Sequence, residues 1–314
     1  MMRRSWLVLL VFWLGAAGCA STVNTRPLPL STDNPELVGA AEGAEDAESA
    51  ERLRNLPAAT HLERGATALR QGSLPIAKLH FSMAVAKDPE LIDAYLGLGH
   101  TSFREGQLAA AKAAFAKVLE KDAEHVPALL ALGTVFRHEG SYEEALTHLR
   151  RGSALQPDNP LLLTEMAQAC EGLGQDAEAE AYYRQVITLT PRVAGAYNNL
   201  GFNLLLQEKY PEAVRVLEQG LSLAPDNRRL MNNLALAYAL HGDARRALQL
   251  FEQSLGKAAA YNNLGYLLMV QGFFKDAELA LNRALESNPV YYVRARENLD
   301  QVRYRAGEGR SLFD

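Results

Sequence analysis

A unit of 34 residues recurs along most of this chain, and a sequence with that period does not fold as an ordinary globule. The clearest copies are Ala196-Tyr197-Asn198-Asn199-Leu200-Gly201-Phe202 and Ala260-Tyr261-Asn262-Asn263-Leu264-Gly265-Tyr266, with a looser one at Met231-Asn232-Asn233-Leu234-Ala235-Leu236. Tyr197 to Met231 spans 34 residues, whereas Met231 to Tyr261 spans 30. Units therefore begin at Ala58, Ile92, Val126, Pro160, Ala194 and Arg228, and after a shortfall of four residues at Ala258. The 314 residues exceed one ordinary domain, but units that pack only on their neighbours escape that limit.

The columns of this alignment carry the physics. Position eight is small: Gly65, Gly99, Gly133, Ala167, Gly201, Ala235, Gly265. Position twenty is always alanine: Ala77, Ala111, Ala145, Ala179, Ala213, Ala247, Ala277. Position twenty-four is large: Phe81, Phe115, Leu149, Tyr183, Leu217, Phe251, Leu281. Small residues at eight and twenty let two antiparallel helices approach, and large ones fill the space beside them. Glycine at position fifteen, in six of seven units, ends the first helix in a left-handed conformation. Proline at position thirty-two (Pro89, Pro157, Pro191, Pro225, Pro289) stops the second. In the short sixth unit, Gly256 is expected to end a truncated second helix.

These columns resemble the tetratricopeptide repeat. The resemblance implies an all-α, right-handed superhelical solenoid of about seven helix-turn-helix repeats over residues 58–291. Residues 292–314 then form a cap helix and tail, apolar at Ala295, Leu299 and Val302 and polar at Arg294, Arg296 and Glu297.

Residues 1–18 have the shape of a secretory signal: Arg3 and Arg4, an apolar run from Trp6 to Leu14 too short to span a bilayer, then Gly15-Ala16-Ala17-Gly18. Cys19 follows directly, which resembles a bacterial lipobox, although Ala16 stands where leucine is usual. The resemblance implies a lipidated Cys19 at the mature N-terminus. With Ala20 rather than aspartate next, it implies a lipoprotein of the Gram-negative cell envelope, sorted to the outer membrane and facing the periplasm. Ordinary cleavage beside an incidental cysteine is the alternative. Residues 19–57 read as the lipidated Cys and a flexible tether rich in Pro, Ala and acids, with a weak helix near 44–55.

The first helices are expected to line a concave groove. Positions two, six, nine and thirteen share one stripe of such a helix. Position six presents Asn199, Asn233 and Asn263 in three consecutive units. Helices about 8–10 Å apart would offer a carboxamide to every third residue of an extended peptide. Phe202, Leu206, Leu236, Leu240, Tyr266 and Val270 make that half of the groove apolar, which favours a peptide or protein partner. The alternative is that these asparagines hydrate the face or bond across repeats. Asn198, Asn232 and Asn262 lie about 100° round and are expected to be structural. In the N-terminal half, Arg70, Arg104 and His138 share position thirteen. They are candidate contacts for an acidic segment or a terminal carboxylate, with a solvated face as the alternative.

The formal charge of −5 and the absence of a basic stripe argue against nucleic acid. Two cysteines, Cys19 and Cys170, give no disulfide framework. The sequence has no Gly-rich phosphate loop, no His-Glu-x-x-His and no nucleophile elbow. His100 and His138 have no third ligand in view. No enzyme, cofactor or metal is therefore expected. A lipoprotein signal followed by tetratricopeptide repeats resembles pilus-assembly lipoproteins. Tyr261 to Tyr266, Leu234 to Leu240, Asn288-Pro289-Val290-Tyr291-Tyr292 and Glu297-Asn298-Leu299 look most like the TadD type of the tight-adherence (Flp) system. That resemblance implies a scaffold for a pilus or secretin component. A PilF-type pilotin, or an adaptor for peptidoglycan enzymes, is the alternative, and an enzyme subunit is the reading of another class.

Overall fold

In a computed structural model, residues 51–288 and 293–311 are described. The signal segment, Cys19, most of the tether and Pro289–Tyr292 lie outside them; of the weak helix expected near 44–55, residues 51–54 are helical. Among the described residues, fifteen further helices follow, and there is no strand. They are α1 (Ala58–Arg70), α2 (Leu74–Lys87), α3 (Ile92–Arg104), α4 (Leu108–Lys121), α5 (Val126–Glu139), α6 (Tyr142–Leu155) and α7 (Pro160–Leu173). Then come α8 (Asp176–Leu189), α9 (Ala194–Leu206), α10 (Tyr210–Leu223), α11 (Arg228–His241), α12 (Ala244–Leu255), α13 (Lys257–Val270), α14 (Phe274–Ser287) and α15 (Val293–Ser311). None of the described helices is long and apolar enough to cross a membrane.

The described residues form two compact units, one ending at Leu173 and one beginning at Gly174. Within each, a helix packs on the next in sequence, and each odd-numbered helix also touches the following odd-numbered one. The seam expected from the columns is what holds the hairpins within each unit. All seven alanines at position twenty are completely buried. A Cβ added at Gly99 would sit 2.3 Å from the Phe115 ring, and one at Gly133 or Gly201 would sit 2.4 Å from Leu149 or Leu217. Glycine leaves room for those three side chains, while alanine holds the same position at Ala167 and Ala235 beside Tyr183 and Phe251, so small and large residues stay in phase.

The first helices end as expected, with position fifteen at positive φ: Gly72, Gly106, Gly140, Gly174, Gly242 and Gly272 run from 76° to 96°. The fifth repeat has Glu208 there, and it too takes a left-handed backbone, at φ 60°. The hairpin geometry overrides an unfavourable residue. In the sixth repeat α12 has 12 residues where the other second helices have 14. Gly256 at φ 85° is all that separates it from α13. The chain closes on α15, whose Ala295, Leu299 and Val302 pack with Met269, Leu281 and Ala284.

Candidate functional site

The asparagine row lies in the second unit on α9, α11 and α13, but the three carboxamides are not equivalent. Asn199 is half-buried and makes no hydrogen bond among the described residues. Asn233 is half-buried, and its Nδ2 donates to Asn198 Oδ1 at 2.9 Å. Asn263 is only 9% exposed, and its Oδ1 accepts from Asn262 Nδ2 at 3.4 Å. Asn262 Oδ1 in turn accepts from Asn298 Nδ2 on α15 at 3.0 Å. Asn232 Oδ1 accepts from the Ser254 hydroxyl. The position-five asparagines are thus tied into packing, and position six is drawn partly into the same ladder.

Two of the expected groove residues need correction. Asn263 is buried and turned into that ladder, and Leu236 is 1% exposed because α11 packs between α9 and α13. Neither can line an open groove. Phe202, Leu206, Leu240 and Tyr266 remain half-exposed, and Val270 is 39% exposed. With Asn199 they form an apolar strip carrying one free carboxamide. Partial burial pushes the Tyr266 phenol up, against the opposing pull of Arg305, so it is a neutral hydrogen-bond donor at physiological pH.

In the first unit Arg70, Arg104 and His138 are all exposed. Two are engaged, one across to the preceding repeat and one within its own helix. Arg104 donates to the Leu69 carbonyl at 2.6 Å, and Arg70 to the Thr67 hydroxyl at 2.9 Å. His138 sets its ring edge-on to Phe103, with centroids 5.0 Å apart. Burial and Arg137 hold its pKa below the usual value, opposed by Glu165. Arg137 is itself bonded to Glu165, at 2.7 and 3.3 Å. Among the described residues no three metal-ligating side chains cluster.

The sequence reading overlooked a buried histidine pair. His61 and His80 bring their Nδ1 atoms to 3.0 Å, and His61 is 0% exposed with Nε2 unpartnered among the described residues. One ring nitrogen must donate and the other accept, so at least the accepting ring is neutral. Burial, then Lys87 and His61 respectively, holds both pKa values below the ordinary histidine value. Their positions, four and twenty-three of the repeat, are core columns, and that was the signal available.

Family models described as tetratricopeptide repeat match residues 96–160, 136–200 and 192–258. Among solved structures, a tetratricopeptide repeat protein from Parabacteroides merdae is 19% identical with a TM-score of 0.59, covering 78% of this chain and 98% of that one. PilF of Pseudomonas aeruginosa is 21% identical at a TM-score of 0.53, covering 68% and 97%. A chain of the Cut9-Hcn1 hetero-tetramer of APC/C is 16% identical at 0.55, covering 85% and 58%. At such identities the likeness shows the fold alone. Human protein O-mannosyl-transferase TMTC1 is 25% identical over 161 residues, 48% of this chain. The Caenorhabditis elegans tetratricopeptide repeat-containing protein trd-1 is 30% identical over 115 residues, 35% of this chain. This chain spans only 18% and 15% of those two relatives.

Proposed function

Because this chain is a tetratricopeptide-repeat protein, we propose that it is a non-catalytic scaffold that holds a peptide or protein subunit against the first helices of its second unit. The observation that carries this reading is the strip Phe202, Leu206, Leu240, Tyr266 and Val270, left in contact with water beside Asn199. A row of large apolar side chains partly exposed on the first helices of consecutive repeats is a surface that water disfavours and a partner can cover. Asn199 adds a donor and an acceptor that can bond a peptide backbone whatever its sequence.

The Arg3-Arg4, apolar run and Ala-Ala-Gly-Cys pattern supports a lipid on Cys19 that anchors the chain in the outer membrane of a Gram-negative bacterium, facing the periplasm. The resemblance of the C-terminal repeats to TadD-type lipoproteins supports a role in Flp pilus or secretin assembly, with a secretin or pilus component as partner. The named activity of the human relative does not travel with so partial a match.

The experiment is a pull-down from envelope detergent extracts of the native host. The full tagged chain should recover a secretin or pilus protein, and Phe202→Ser with Leu206→Ser should lose it while keeping wild-type helical content. Recovery of no such component ends the pilus reading. Undiminished recovery by the double variant moves the interface off this strip. Separately, an alkyne fatty acid fed to cells should label the chain, and Cys19→Ser should abolish the label.

A further inference from the structure

The joint at Gly256 leaves a second surface, on the side of the stack formed by the second helices. Between α12, α13 and α14 lies a cleft of about 550 Å³, within the range of ligand sites. Its floor is apolar: Leu248 of α12 with Leu264 and Leu268 of α13. Phe273 and Leu279 stand at its rim, 54% and 55% exposed. Arg245 and Arg283 flank it from α12 and α14, against one carboxylate, Asp276.

Two joints of the first unit close in a different way, although the regular-length joint with Val214 and His241 at the same positions has no such closure. Where α2 meets the end of α3 and where α4 meets the end of α5, position twenty-one of one repeat is a lysine that reaches the position-fourteen glutamate of the next. Lys78 meets Glu105 at 2.8 Å and Lys112 meets Glu139 at 2.7 Å. At the short joint the same two positions are Leu248 and Gln271. Gln271 turns inward to the Ala239 and Leu267 carbonyls. The ionic closure is replaced by an open apolar floor.

The cleft one repeat earlier provides the second contrast. It is lined by Glu218, Tyr238 and Arg246, and its charges are balanced in place. Tyr238 donates to Glu218, while Arg246 pairs with Asp243 at 3.1 Å and donates to the Tyr238 hydroxyl at 3.3 Å. Arg245 makes no ion pair among the described residues. Arg283 makes none either; it lies over the Tyr261 ring, 5.8 Å from the centroid. Two arginines without carboxylate partners beside an uncovered apolar floor specify the chemistry of what covers them.

We propose that this cleft binds a short segment of another protein that carries two bulky apolar side chains flanked by carboxylates. The apolar side chains fill the floor over Leu248, Leu264 and Leu268, and the carboxylates bridge Arg245 and Arg283. The site is independent of the first-helix strip. Leu264 and Leu268 each lie two residues from Tyr266, about 200° round α13. One partner on the strip and another in this cleft could be held together, which is how a scaffold joins two components.

The probe is a displayed library of random twelve-residue peptides, panned on the full-length chain, with enriched peptides then measured by fluorescence polarisation. The expected consensus is a pair of bulky apolar residues beside Asp or Glu. Affinity should fall at least about tenfold on Arg245→Glu with Arg283→Glu, as loss of two charge-assisted contacts requires. It should fall again on Phe273→Ser with Leu279→Ser, and be unchanged on Phe202→Ser with Leu206→Ser. All substituted rim residues are exposed, so the circular dichroism spectrum should not change. A basic or featureless consensus, or binding indifferent to the two arginines, overturns the proposal. Binding lost only on the Phe202 and Leu206 variant also overturns it and leaves the first-helix strip as the peptide site.

Discussion

The joint between α4 and α5 in the first unit and the joint between α12 and α13 in the second are built from the same two columns and close in opposite ways. One is tied by Lys112 and Glu139 at 2.7 Å, with the ammonium also over the Phe136 ring. The other has Leu248 and Gln271 in those places and lies open. Yet the helix seams inside the hairpins are alike: Ala145 and Ala247 are both 0% exposed, and Leu149 and Phe251 fill the space beside them. The stack is therefore specified within hairpins, and what lies between hairpins is free to vary. That freedom is where a repeat protein acquires surfaces of its own.

Overpacking the seam tests the shared part and should have the largest effect. Ala145→Leu and Ala247→Leu should each cost about 1–3 kcal/mol by chemical denaturation. A marked difference between the two would mean that the seams are not equivalent. Acid tests what only the first unit has. His61 and His80 titrate below their unfolded value, so the unfolded chain takes up protons first. The stability they contribute is complete above about pH 6.5 and is lost as pH falls below it. Thermal melts should show the first unit weakening on acidification, and His61→Gln with His80→Leu should reduce that dependence, leaving the part due to His100, His138 and His148, which burial also holds below the ordinary value. A second unit that weakens equally would break the contrast.

Two smaller effects sharpen it. Glu208 occupies the position that glycine holds in the other six repeats, at φ 60°. Glu208→Gly should raise stability by about 1 kcal/mol in equilibrium unfolding. Transplanting the closure of the first unit, with Leu248→Lys and Gln271→Glu, should change stability by less than about 1 kcal/mol, as a surface ion pair does. It should nonetheless weaken peptide binding in the cleft, read by fluorescence polarisation.

The hairpins were legible because their cause is local and periodic. Gly99 and Phe115 sit at fixed offsets, and a Cβ on the first would run into the second. The truncation at Gly256 was legible from a four-residue shortfall. Its consequence was not, since an open cleft depends on which side chains meet across three helices. The asparagine row shows the same boundary. Column position put Asn199, Asn233 and Asn263 on one stripe, but the bond to Asn198 and the ladder from Asn298 through Asn262 to Asn263 join neighbouring helices and leave no local trace. Leu236 was misjudged for the same reason, because burial of one face depends on the spacing of both neighbours.

The most direct test of the scaffold reading is site-specific photocrosslinking in cells, with benzoylphenylalanine at Phe202 or Leu206 on α9 and, as control, at exposed Gln219 on α10. The account predicts an adduct with a secretin or pilus component from the two α9 positions and none from position 219. Adducts with such a component from position 219 alone would contradict it.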